Sequence, residues 1–287
     1  MSKIDKAVDV DHFQEQEEAE IYRNFTAEFP FLEHTFTLNK LPSLPAIVLH
    51  LNFLLDQNRP SIKEVIRTIL ADPSLSLRVL SMLSLTPDYN PQNTLTVSRV
   101  IHYKGLKAIK SMFNDFTIFN ENSSFEQQSG FDLFDFWKRS VFTALTAEAI
   151  AAELKLENRE EAYLAGLFHD IGKLVLARFS PAANKKFSKM QKHQDDTLQR
   201  EERTLKITHP QAGAQVGMKL HLPQSLVDVI QNHHLESQTD HKAIFHMPLI
   251  RIVYASQSVA KLFCYRDLST HYFYEGRDRV FDYLQMP

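Results

Sequence analysis

The sequence predicts an all-α protein, and three observations carry that expectation. Only 7 glycines occur in 287 residues, so few sharp turns interrupt the chain. Apolar residues recur at three- and four-residue spacing, and few segments alternate with period two. Helix start signals repeat along the chain. Ser61-Ile-Lys-Glu64 is a capping box, Asp72-Pro73 is an N-cap followed by proline in the first turn, and Asn158-Arg-Glu-Glu161 resembles a second box. A hydrophobic fraction of 44% is ample for a core.

Residues 1–37 read as an acidic arm. They carry the run Gln14-Glu15-Gln16-Glu17-Glu18, and Ile21, Phe25 and Phe29 then suggest a short amphipathic helix. A first helical lobe spans 38–125. It opens on Leu41-Pro42-Ser43-Leu44-Pro45, with a helix to about Asp56 burying Ile47, Leu51, Leu54 and Leu55. Ser61 starts a stripe of Ile62, Val65, Ile66, Ile69 and Leu70. Asp72 starts the helix of Leu75, Val79, Leu80 and Leu83. Two further patterns follow, broken at Gly105. The polar stretch 120–130 reads as irregular and as the boundary with a second lobe, 126–287.

In that second lobe a long helix is expected over 131–156, then one helix over 159–178 that ends before Pro181. The charged stretch Lys185 to Arg203 reads as a solvated helix. Further helices are expected from Thr208 to Leu220, from Leu222-Pro223 to His233-His234, over 243–264 and over 277–285.

Charge and composition narrow the function classes. A net charge of −3 gives no global basic field, so nucleic acid is not an expected partner. Lys104, Lys107 and Lys110 read as a solvated helix face. A single cysteine, Cys264, forms no internal disulfide and no cysteine-based zinc framework. The start of the chain lacks a signal-peptide core, and no apolar run is long enough to span a bilayer, so a cytoplasmic protein without a membrane association is expected.

The chemistry concentrates in Glu161-Ala-Tyr-Leu-Ala-Gly-Leu-Phe-His-Asp-Ile-Gly-Lys-Leu-Val-Leu176. An imidazole beside a carboxylate among Leu164, Leu167, Phe168, Ile171 and Leu174 is costly unless both groups find partners, and a metal ion is one such partner. His209 and the pair His233-His234 fall at other helix ends. Singly, each histidine reads as a packing or surface residue. Together with Gly166-Leu-Phe-His-Asp-Ile-Gly-Lys173 the set is far more specific.

Three blocks in order resemble the HDOD-domain family, a divergent relative of the HD-type metal-dependent phosphohydrolases. The first is Leu41-Pro-Ser-Leu-Pro45 with Ile69-Leu-Ala-Asp-Pro-Ser-Leu-Ser-Leu-Arg-Val-Leu80. The second is Phe136-Trp-Lys-Arg-Ser140 with Ala165–Leu174. The third is Thr208-His-Pro-Gln-Ala-Gly213 with Leu222-Pro223 and His233-His234. The resemblance covers roughly residues 38–240 and implies a helical bundle followed by an HD-like helical core. Active HD enzymes hold metal with a first histidine, an His-Asp pair and a late aspartate. Here Arg139 aligns with the first and Gln257 with the last, so Arg139, His169, Asp170 and Gln257 are expected to form a degenerate site without metal or cofactor.

A guanidinium is always charged and accepts nothing, so an Arg139–Asp170 ion pair is expected where the metal would sit. His209, His233, His234 and Lys173 are candidates for binding a ligand; the resemblance implies that these histidines occur in HD enzymes with extra metals, so an anion or another metal is open for them, and helix-end hydrogen bonding is the simpler role. The implied function is non-catalytic signalling or regulation, through a protein partner acting in trans or a nucleotide-like ligand. The alternative is a metal-dependent phosphohydrolase acting on nucleotides or cyclic dinucleotides. A third possibility is an adaptor with no small-molecule ligand.

Overall fold

The computed structural model describes residues 38–90, 94–114, 121–189, 197–234 and 247–264, all within one unit spanning 37–287. The expected arm at 1–37 and the expected helix at 277–285 lie outside the described residues. Every regular element among the described residues is helical, as the sequence predicts.

A 3₁₀ turn, Leu38–Lys40, leads into α1 (Pro45–Leu55), α2 (Ile62–Leu70), α3 (Pro73–Ser84) and α4 (Val97–Asn114). The expected caps form. The Ser61 hydroxyl accepts from the Glu64 N–H at 3.4 Å, and Asp72 Oδ1 accepts from the Leu75 N–H at 2.9 Å. The break expected at Gly105 is a kink within α4, where φ is 76° and ψ is 158°.

The two halves of the first motif block meet in space. Asp72 also accepts from the Ser43 hydroxyl and the Leu44 N–H, each at 3.1 Å, and the Ser74 hydroxyl donates to the Pro42 carbonyl at 2.6 Å. Arg78 is 1% exposed and donates to the carbonyls of Leu38 and Asn39, each at 3.3 Å, and to that of Leu41. Burial lowers the Arg78 pKa to about 10 against the opposing pull of Asp72. The proline-rich segment is therefore stapled to α3 by buried polar groups, each supplied with partners as burial requires.

The second half comprises α5 (Glu121–Ser129), α6 (Leu133–Glu153), α7 (Arg159–Phe168), α8 (Ile171–Phe179), α9 (Pro181–Lys189), α10 (Thr197–Leu205), α11 (His209–Lys219), α12 (Gln224–Asn232) and α13 (Met247–Cys264). The stretch expected to be irregular contains α5. Its polar composition hides the inward Phe125, at 2% exposure, and α5 packs on α9, where Asn184 Nδ2 donates to the Ser129 carbonyl at 3.0 Å. The single helix expected over 159–178 is two. The chain bends at His169 and Asp170, and Asp170 becomes the N-cap residue of α8.

The core of this half is α7, in which Leu164, Ala165, Leu167 and Phe168 are wholly buried between α6, α12 and α13. Gly166 permits the contact with α6, because a Cβ there would lie 2.8 Å from the Ala144 Cα. α8 packs on α11 and α11 on α12. Tyr163 donates its hydroxyl to the Leu70 carbonyl at 2.9 Å, and Arg178 Nε donates to the Lys40 carbonyl at 2.8 Å, which ties the second half to the first.

Candidate functional site

The bend between α7 and α8 brings Asp170 to the ends of two other helices. His209 opens α11, and His233 caps the C-terminus of α12 with His234 next in the chain. Local sequence fixes each end. At the start of α11, Gln211 Oε1 accepts from the Thr208 N–H at 2.8 Å, and Pro210 sits in the first turn. His209 and His233 are 0% exposed, and Asp170 is 7% exposed.

The polar atoms converge. His209 Nε2 lies 3.2 Å from Asp170 Oδ1, 3.2 Å from His233 Nε2 and 3.0 Å from His234 Nε2. His233 Nε2 lies 3.4 Å from Asp170 Oδ1. One ligand atom from each of Asp170, His209, His233 and His234 fits within a mutual span of 4.8 Å. His169 approaches from the other side, with Nε2 at 3.4 Å from Asp170 Oδ2, and Lys173 Nζ donates to that same Oδ2 at 2.6 Å. Six of the eight residues singled out from the sequence are thus brought together.

The far nitrogen of three rings is already committed. His209 Nδ1 donates to Glu201 Oε2 at 2.7 Å, His233 Nδ1 to the Ile230 carbonyl at 2.9 Å, and His169 Nδ1 to the Gly166 carbonyl at 2.7 Å. A neutral imidazole has one N–H, so Nε2 of His233 presents a lone pair, and Nε2 of His209 does so once that ring gives up its second proton. These lone pairs face a carboxylate. Burial pushes the Asp170 carboxyl upward, but Lys173 and His169 outweigh it and hold it well below the usual carboxylate range. Burial lowers His233 to about 4, and burial with the neighbouring positive groups also drives His234 down, so both rings stay neutral. Burial opposes charge on His209, yet the Glu201 carboxylate outweighs it and raises that pKa.

The remaining two residues are not among the converging atoms. Arg139 Nε lies 3.1 Å from Asp135 Oδ2, one turn back on α6, and among the described residues no ion pair joins it to Asp170. The expected Arg139–Asp170 pair is not formed among the described residues, where Asp135 lies beside Arg139 and Lys173 holds Asp170. Gln257, on α13, donates through Nε2 to the His233 carbonyl at 3.4 Å and so touches the rim of the cluster.

Glu201 was not legible as a site residue. It lies in the stretch expected to be a solvated helix, yet it is 3% exposed and also accepts from the His209 backbone N–H at 2.8 Å. The missed signal is the Leu198, Glu201, Leu205 spacing, which puts this carboxylate on the apolar face of α10. Glu201 pins the His209 tautomer, a service that a carboxylate commonly renders to a ligating imidazole. Three imidazoles and one carboxylate suit zinc and neighbouring divalent transition ions.

The HDOD domain pattern matches residues 41–236. The chain belongs to the HDOD-domain family. Two solved structures share the fold. The MmoQ response regulator from Methylococcus capsulatus str. Bath is 18% identical with a TM-score of 0.66, over 85% of this chain and 97% of its own. A virulence factor from Campylobacter jejuni subsp. jejuni is 18% identical with a TM-score of 0.64, over 90% of this chain and 89% of its own. No functionally curated protein matches the HDOD chain significantly. Among the described residues of this HDOD protein, no helix is long and apolar enough to cross a membrane.

Proposed function

We propose that this HDOD protein is a non-catalytic regulatory component that works by binding a protein partner in trans or a nucleotide-like ligand. The supporting observation is the state of Asp170. Two-metal phosphoester hydrolysis places ions about 3.5–4 Å apart around shared ligands. Here Lys173 sits 2.6 Å from one Asp170 oxygen, which leaves the other for a single ion. Arg139 and Gln257 stand where the resemblance implies two further ligands, and neither side chain supplies an anionic donor. The name response regulator, carried by one protein of the same fold, agrees with a regulatory role.

The second reading, a metal-dependent phosphohydrolase acting on nucleotides or cyclic dinucleotides, is favoured by the convergence of His209, His233 and His234 on Asp170. One assay separates the two. The full chain, supplied in turn with Mg²⁺, Mn²⁺ and Fe²⁺, is incubated with nucleotides and cyclic dinucleotides. The regulatory reading expects no turnover above that of Asp170→Asn. Turnover that disappears in Asp170→Asn overturns it. A thermal-shift series with the same nucleotides then distinguishes a ligand sensor from a protein-binding scaffold, because a ligand specific to the native state raises the melting temperature by mass action.

A further inference from the structure

We propose that Asp170 Oδ1 and the Nε2 atoms of His209, His233 and His234 form a mononuclear site for a divalent transition ion, with zinc as the reference occupant. The site goes beyond the regulatory reading and gives the pocket a defined ligand of its own.

Spacing is the first support. Four ligands at zinc bond lengths of about 2.0–2.1 Å in a tetrahedron stand about 3.3–3.4 Å apart. Four of the six separations in the cluster are 3.0, 3.2, 3.2 and 3.4 Å, and all six lie within 4.8 Å, so small ring rotations bring the set to a tetrahedron. Donor chemistry is the second. The Nδ1 protons of His209 and His233 are held by Glu201 and the Ile230 carbonyl, which turns both Nε2 atoms inward as the ligating atoms, with an arriving ion displacing any proton on His209 Nε2. An orphaned atom is the third. Asp170 Oδ1 is buried and finds no well-aligned donor among the described residues, its neighbours being the Nε2 atoms of His209 and His233 at 3.2 and 3.4 Å. Packed lone pairs around a buried, unpartnered carboxylate oxygen repel one another, and a cation between them converts that repulsion into four bonds.

The scaffold also fits. The donors sit at the α8 N-cap, the first residue of α11 and the two residues after α12, so an ion would clamp three helix ends. Binding to a site that exists only in the folded chain stabilises that fold. Lys173 neutralises Asp170 Oδ2 and leaves Oδ1 to the ion.

The test uses the full chain, purified without affinity histidines, stripped with chelator and titrated with Zn²⁺ by calorimetry. Co²⁺ absorption reports the ligand geometry. One ion per chain, an intense visible Co²⁺ band and a raised melting temperature are expected. His234→Gln and Asp170→Asn should abolish the Co²⁺ band, and Glu201→Gln should weaken Zn²⁺ binding by about 10–100-fold. His102→Ala, an exposed histidine on α4, should change nothing. Circular dichroism checks that each variant is folded. A folded parent that takes up no stoichiometric Zn²⁺ and shows no Co²⁺ band overturns the site, as does unchanged binding in folded His234→Gln. Metal bound without phosphodiesterase turnover sustains both the site and the regulatory reading. Metal with turnover sustains only the site, and neither metal nor turnover sustains only the regulatory reading.

Discussion

Gly172→Ala tests the packing on which the whole cluster depends. Helix propensity alone favours the change, since alanine gains about 0.5–1 kcal/mol over glycine inside a helix. The tertiary structure predicts the opposite sign. An added Cβ would lie 1.8 Å from the His209 carbonyl oxygen, 2.7 Å from its carbon and 2.8 Å from the Gly213 nitrogen. Ordinary contact begins at about 3.4 Å, so α8 and α11 must part by roughly 1.6 Å. That movement withdraws His209 from Asp170 at 3.2 Å and from Glu201 at 2.7 Å. Overpacking costs about 1–3 kcal/mol, and stranding buried hydrogen-bonding groups adds about 1–3 kcal/mol, for a total near 4 kcal/mol. At about 2–4 °C per kcal/mol, the melting temperature should fall by roughly 8–16 °C. Thermal denaturation of Gly172→Ala beside Gly217→Ala measures this. Gly217 is the control, because its added Cβ meets nothing nearer than a Val227 methyl at 3.1 Å. A Gly172→Ala protein as stable as its parent would refute the close crossing and the placement of His209 built on it.

Other substitutions probe independent contacts. Asp72→Ala removes an N-cap and strands Leu44 N–H and the Ser43 hydroxyl, so urea titration should show a loss of about 2–4 kcal/mol. Breaking the Arg139–Asp135 pair by Asp135→Asn should cost less than about 1 kcal/mol in the same titration, because that pair is partly exposed, whereas a larger loss would point to a buried role. Glu201→Ala should cost about 2–3 kcal/mol by leaving the His209 N–H and Nδ1–H unsatisfied, and an unchanged midpoint would remove Glu201 from the network. Lys155 holds φ at 57° after α6, so Lys155→Gly should raise stability by about 0.5–1 kcal/mol.

Local signals carried far in this chain. The Ser61, Asp72 and Asn158 caps act within three residues, and the structure forms each of them. Signals that failed were those that a neighbour overrides. Polar composition hid α5 because one buried phenylalanine and a packed partner helix suffice to hold it. The apolar run through His169-Asp170 suggested a continuous helix, since hydrophobic spacing does not register a bend stabilised by polar contacts made elsewhere.

The sequence by itself determined the helical class, several helix starts and the family, because these rest on periodicity, caps and motif order. It also named most of the polar residues of the cluster, though not Glu201. Only the tertiary structure decided how they are used. It paired Arg139 with Asp135, gave Asp170 to Lys173 on one oxygen, and buried Glu201 behind His209. The physical reason is separation along the chain. Asp170, Glu201, His209 and His233 meet only because α8, α10, α11 and α12 fold together, and no local pattern records which of their charges and lone pairs will face one another.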